Sequence, residues 1–329
     1  MLRRHLLASL ALPAPALAQT QTQTQTQTQT PWPARTLRII VPFPPGGLAD
    51  LLARPLGARL HAMLGQPVLV ENRPGAGGNI GADTVAKAAP DGYNWLLGSM
   101  GPLAANQFLF PSMPFDARTA FAPTVLLVNT PKVIVVGRDR PWRNLGELLR
   151  AAKSAPDSLR AGSAGNGSSL HIGLELLKRE SRTAIIHVPY RGAAPAVTDL
   201  VGGRLDLMVD NLPNILPQIR EGTVRALAVA TPERLPQLPA VPTTAEAGLP
   251  GFVFGTWFGL VAPARTPAEI VTRMAEAVDA ALREPEIGGR LRDQGAVVGG
   301  GTPEAFASFI ASQTAALEAV IRDARIRAD

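Results

Sequence analysis

Three short stretches hold the groups from which a site could be built. The first, Pro42-Phe43-Pro44-Pro45-Gly46-Gly47-Leu48-Ala49-Asp50, joins a β-branched run to an amphipathic one. Glycines there let the backbone approach a ligand, and the free N–H groups that open a helix favour an anion. The stretch lacks the Gly-Lys-Ser/Thr ending of a nucleotide P-loop, and Asp50 also suits a helix cap. The second, Gly162-Ser163-Ala164-Gly165-Asn166-Gly167-Ser168-Ser169-Leu170-His171, again follows a strand-like run and opens a helix-like one. From Gly165 onward its amides, with the hydroxyls of Ser168 and Ser169, make a carboxylate cradle; a flexible surface loop is the plain alternative. No acidic residue follows at the distance a dinucleotide fold requires, and His171 suits either a ligand or its own loop.

The third group is Pro189-Tyr190-Arg191-Gly192-Ala193-Ala194 and Asp210-Asn211, each just after an apolar run. Residues past the carboxyl ends of parallel strands face the ligand crevice of open α/β sheets. Tyr190 offers a hydroxyl, Arg191 a charge and Asp210 an acceptor for water or an amine. Simple solvation of Arg191 and helix capping by Asp210 compete with those roles. Ser99 has the same strand-end geometry earlier in the chain.

Catalytic patterns are scarce. There is no Gly-x-Ser-x-Gly elbow and no cysteine, which excludes disulfides, thiolate metal sites and cysteine nucleophiles. Beyond the first eighteen residues the histidines are His61, His171 and His187, without metal-ligand spacing. No carboxylate pair stands out, so neither metal nor cofactor is expected. Arg73-Pro74-Gly75-Ala76-Gly77-Gly78 is glycine-rich too and reads as a turn and helix start, with a site role the lesser alternative. With 5% aromatic residues and a net charge of +6, the footprint of a nucleic-acid binder is missing.

The elements that must position these groups alternate. Strands are expected at 37–41, 68–71, 95–98, 125–136 (broken by Pro131), 159–161, 183–188, 205–209, 224–230 and 257–262. Helices are expected at 48–64, 80–89, 145–153, 170–179, 212–219, 267–284, 287–293 and 303–321. In the first helix Leu51, Leu52, Leu56, Leu60, Met63 and Leu64 share a face, and Pro55 requires it to start late or bend. Such alternation implies an α/β fold of two lobes, each a mainly parallel sheet flanked by helices, linked by two crossing strands. Lobe 1 is assigned to 35–128 plus 258–329 and lobe 2 to 129–257. Residues 1–18, with Arg3-Arg4 before a short apolar run that ends Ala16-Leu17-Ala18, read as a cleavable secretory signal for the general or twin-arginine route. Residues 19–34, which open with six Gln-Thr repeats over 19–30, read as a disordered leader. An exported chain with neither lipid-bearing cysteine nor membrane span is expected to work in a bacterial periplasm.

The chain resembles the substrate-binding (Bug-type) periplasmic receptors of tripartite tricarboxylate transporters. The resemblance lies in IIVPFPPGGLADLLAR, VLVENRPGAGGNIGADTVAKAAPDGY, HVPYRGAAPAVTDLVGGRLDLMVDNLPNILPQIREGTVRALAVA and LPAVPTTAEAGLPGF. It implies two lobes of a periplasmic-binding-protein fold that close on a small organic carboxylate. It also implies delivery to integral membrane subunits, with no enzymatic turnover, no nucleic acid and a monomeric receptor. By resemblance the Phe43–Asp50 loop holds one carboxylate through amides and ordered waters, and Gly46, Gly47, Ser168, Ser169, Tyr190, Ala194 and Asp210 serve the ligand. His171 matches a histidine often found in the serine loop, Arg191 keeps a charge that is often a lysine, and Pro55 and Asn166 depart from the usual wording. The rival reading is a small-molecule enzyme of unknown reaction on a similar two-lobed fold.

Overall fold

The β-branched and leucine-rich runs form strands and the longer amphipathic runs cover them. The computed structural model describes residues 32–324 and 326–328, so the signal and most of the leader lie outside the described residues. In chain order the elements begin β1 (Leu37–Val41), α1 (Leu48–Leu64), β2 (Val68–Asn72), α2 (Asn79–Ala86), β3 (Asn94–Ser99), α3 (Asn106–Leu109) and β4 (Phe121–Gly137). They continue with α4 (Leu145–Ser154), β5 (Arg160–Ser163), α5 (Ser169–Ser181), β6 (Ile186–Pro189), α6 (Ala193–Val201), β7 (Leu207–Asn211), α7 (Leu212–Arg220) and β8 (Val224–Val229). The last are β9 (Gly255–Pro263), α8 (Ala268–Arg283), α9 (Arg290–Asp293), β10 (Val297–Gly300) and α10 (Pro303–Ala324).

Two mixed sheets share β4. In the first, β2, β1 and β3 run parallel, β9 pairs antiparallel with β3, and the first part of β4 pairs antiparallel with β9 and β10. In the second, β4 from Lys132 onward pairs antiparallel with β7 and β8, and β7, β5 and β6 run parallel. The expectation of mainly parallel sheets therefore holds only for the outer strands. Two strands that cross between lobes in opposite senses must run antiparallel to each other.

Pro131 explains itself here: it pairs with Gly255 as the last residue matched to β9, and Lys132 opens the pairing with β7. A residue without an N–H falls where β4 changes partners, so no interior ladder bond is lost. Pro55 does not make α1 start late: the helix begins at Leu48 and runs through Pro55 to Leu64, with the proline ring exposed. Leu52, Leu56 and Leu60 are buried as expected, but Leu51 stands 45% exposed.

Each sheet has a packed layer on both faces. α1 and α8 cover one face of the first sheet, and α2, α3 and α10 the other. In the second sheet α4 and α5 cover one face, and α6 and α7 the other. At the start of the described chain the indole N–H of Trp32 donates to the Gly92 carbonyl at 3.2 Å, and its ring lies 6.3 Å from that of Trp95. The end of the expected leader is thus anchored on the first sheet.

Candidate functional site

Four helix starts converge on one chamber. From the first lobe it is lined by Phe43, Pro44, Pro45, Gly47, Leu48 and Ala49 at the start of α1, with Ser99 at the end of β3 and Phe258 of β9. From the second come Ala164, Ser168, Ser169 and Leu170 at the start of α5, Gly192, Ala193 and Ala194 at the start of α6, and Asn211, which precedes α7. The first amides of a helix have no intrahelical acceptor and carry the positive end of its dipole. No lining side chain is charged. The chamber is small, about 40 Å³, on a measure where one water takes roughly 10–15 Å³.

Six of the expected residues meet there: Phe43, Gly47, Ser99, Ser168, Ser169 and Ala194. The others lie around it and are engaged elsewhere. Asp50 is buried and holds its own loop: Oδ2 accepts from the Gly46 N–H (3.2 Å) and Arg54 Nε (2.9 Å), and Oδ1 from Asn72 Nδ2 (3.0 Å). Burial opposes the ionised form, but these hydrogen bonds keep its pKa below the ordinary value. Asn72 also donates to the Phe43 carbonyl at 2.9 Å, which ties β2 to the loop. The Tyr190 hydroxyl donates to Asp199 Oδ2 at 2.7 Å, and burial with that bond raises its pKa to about 12. Tyr190, Arg191 and Gly165 line a neighbouring cavity that shares Phe43, Pro44 and Ala164 with the chamber. His171 is buried, accepts from the Gly167 N–H at 3.3 Å and stacks on His187 with ring centres 4.4 Å apart.

Asp210 is fully buried; its carboxylate accepts from the Asn211 N–H and from Asn214 Nδ2, each at 2.7 Å. The residue that sequence reasoning passed over is Lys132, fully buried on β4 beside it. Its Nζ donates to Asn211 Oδ1 at 2.7 Å and to Ser169 Oγ at 2.9 Å. Burial draws both toward neutrality, lowering the lysine pKa and raising the aspartate pKa. The available signal was a lone charge inside the apolar run 125–136. Asn211 and Gly192 stand in the third group of candidate stretches, where neither is given a role of its own.

The serine loop is pinned from below. Ser163 Oγ bonds His187 Nε2 at 2.6 Å and accepts from the Gly165 N–H at 3.1 Å. Burial, reinforced by His171, pushes the His187 pKa down to about 4 from an ordinary 6.5. Between those pH values the unfolded chain binds a proton that the folded one refuses, so stability falls on acidification. Discounted for the partial exposure of the ring, the loss is about 2 kcal/mol from pH 6.5 to 4. Urea denaturation across this range should show the ramp in wild type and a shallower one in His187→Gln; equal slopes would remove His187 as its source.

The sequence model described as "Tripartite tricarboxylate transporter family receptor" matches residues 52–326. The chain belongs to that family. The receptor is 41% identical to the UPF0065 protein in the tcbD-tcbE intergenic region of Pseudomonas sp. (strain P51), over 91% of this chain and 89% of that one. Among solved structures it resembles Rpa4515 of R. palustris with adipate, at 38% identity and TM-score 0.87, covering 90% of this chain and 99% of that one. It equally resembles MatC of Rhodopseudomonas palustris with bound malate, at 38% identity and TM-score 0.85, covering 88% and 100%. As a member of this family the receptor is a periplasmic solute-binding protein and not an enzyme. Its fold is the two-lobed α/β fold of periplasmic binding proteins.

Proposed function

We propose that the receptor captures a small organic dicarboxylate by closure of its two lobes and hands it, as a monomer, to the integral membrane subunits of a tripartite tricarboxylate-type transporter. The observation that carries this reading is the convergence of helix starts from both lobes on a chamber without charged side chains. Backbone amides and hydroxyls there suit a carboxylate, and water can bridge what the protein does not touch. The adipate and malate bound to the two solved relatives support a diacid. Lobe 1 is then residues 35–128 with 258–329 and lobe 2 residues 129–257, with bending at the handover in β4 and its partner β9.

In this reading Phe43, Gly47, Ser99, Ser169 and Ala194 touch the ligand, and Ser168 does so through its backbone alone, its hydroxyl being the cap of α5. Gly46, Asp50, Gly165, His171, Tyr190 and Asp210 shape the loops that present them. The test is a thermal-shift screen with malonate, succinate, malate, glutarate and adipate, followed by calorimetry. A ligand at a hundredfold excess over Kd adds about 2.7 kcal/mol to stability. At least one diacid should raise Tm by several degrees and bind one-to-one, and mass spectrometry should recover it unchanged. If no diacid in the panel shifts Tm, the proposal fails.

A further inference from the structure

Among the described residues no other lysine or arginine is buried as Lys132 is. Its ammonium has three protons, and two go to Ser169 Oγ and Asn211 Oδ1, both on residues that line the chamber. With those acceptors occupied, the serine has its hydroxyl proton left to offer and the asparagine its amide N–H groups. Lys132 thus lies one hydrogen bond behind the wall and turns its polar groups into donors. Asp210 is the anion whose charge acts on it, but the Asp210 oxygens bond Asn211 and Asn214, and no ion pair with Lys132 forms within 4 Å among the described residues. A buried cation without a touching anion is unfavourable until a counter-charge arrives.

We propose that Lys132 is a positioning and specificity-determining residue: through Ser169 and Asn211 it directs donors into the chamber and lends it positive charge, so that a carboxylate is taken in preference to an isosteric amide. The inference rests on the carboxylate-receptor reading above and adds a charge selector that lies outside the lining.

The test titrates wild type, Lys132→Met and Lys132→Gln with whichever diacid of the panel stabilises wild type most, and with the half-amide of that diacid. Lys132→Met should bind the diacid at least tenfold more weakly, with no more than a threefold change for the half-amide. Lys132→Gln retains hydrogen-bonding groups without charge and should show the same selective loss. Wild-type affinity in Lys132→Gln, or equal losses for acid and half-amide, overturns the inference and leaves the receptor reading standing. A wild type that binds no diacid overturns both. If the single variants do not fold, Lys132→Met with Asp210→Asn removes both buried charges and is held to the same comparison. If that variant also fails to fold, wild type alone decides: it should prefer diacid over half-amide by tenfold or more, and equal affinity overturns the inference.

Discussion

Gly77→Val and Gly192→Val should each weaken diacid binding about a hundredfold or more while both lobes stay folded. The glycines lie where the lobes meet. A Cβ on Gly77, in the turn before α2, would come within 2.6 Å of the Asn166 carbonyl oxygen on the serine loop, and backbone cannot swing aside as a side chain can. A Cβ on Gly192, ahead of α6, would come within 2.9 Å of Pro44 Cδ on the opposing loop. Gly77 thus lies against the backbone of the serine loop and Gly192 against the Pro44 ring, contacts possible only because these positions carry no side chain. Their φ angles, +62° and +142°, add strain of about 1–3 kcal/mol for any other residue. Valine would prop the lobes apart, and an affinity that needs the closed state falls by the fraction that can still close. A 3 kcal/mol bias toward the open state corresponds to about 150-fold in Kd.

The control is Gly203→Val. Its φ is +73° and no atom lies within 4 Å of its Cβ position, so it carries similar strain without bridging the cleft. It should lose stability but keep affinity. Calorimetry gives Kd, and small-angle scattering should show the ligand-induced compaction of wild type missing in the two cleft variants. Wild-type affinity in Gly77→Val would mean that closure at this rim is not needed for binding.

That the meeting of the 73–78 turn with the serine loop could not be read from sequence is a matter of range. Its partner is about ninety residues away on the other lobe, and local pattern carries no information on such a meeting. What local pattern does carry is periodicity. α1 runs over 48–64 as its leucine spacing requires, and β1 over 37–41. β10 was missed because it is four residues long with two glycines, too short for alternation to register. The rule that ligands meet strand ends and helix starts picked Gly47, Ser168, Ser169 and Ala194, all of which line the chamber. The same rule picked Tyr190, Asp210 and His171, whose side chains are held by Asp199, by Asn211 with Asn214, and by Gly167. Backbone position was legible, but side-chain direction was not, because it depends on tertiary partners. Lys132 is the converse case. Its strand was legible, but nothing local shows that a charge within it reaches Ser169 of α5 and Asn211 before α7.

Ser168 and Ser169 are neighbours with different duties, so their alanine variants should separate. Ser168 Oγ caps α5 by accepting from the His171 N–H at 3.3 Å and is almost wholly buried. Ser168→Ala should cost about 1 kcal/mol of stability, which departs from the expectation, natural from sequence alone, that both hydroxyls are there for the ligand. Ser169 Oγ accepts from Lys132, so its proton is free for the chamber, and a bond to a charged partner is worth roughly 1.5–3 kcal/mol. Ser169→Ala should therefore weaken diacid binding by about tenfold to a hundredfold. The double variant should combine the affinity loss with the stability loss, since the cap and the donor act on different partners. Urea denaturation without ligand reads the first, and calorimetry reads the second. Unchanged affinity in Ser169→Ala would take that hydroxyl out of the site, and it would leave the amides opening α1, α5 and α6 to hold the anion.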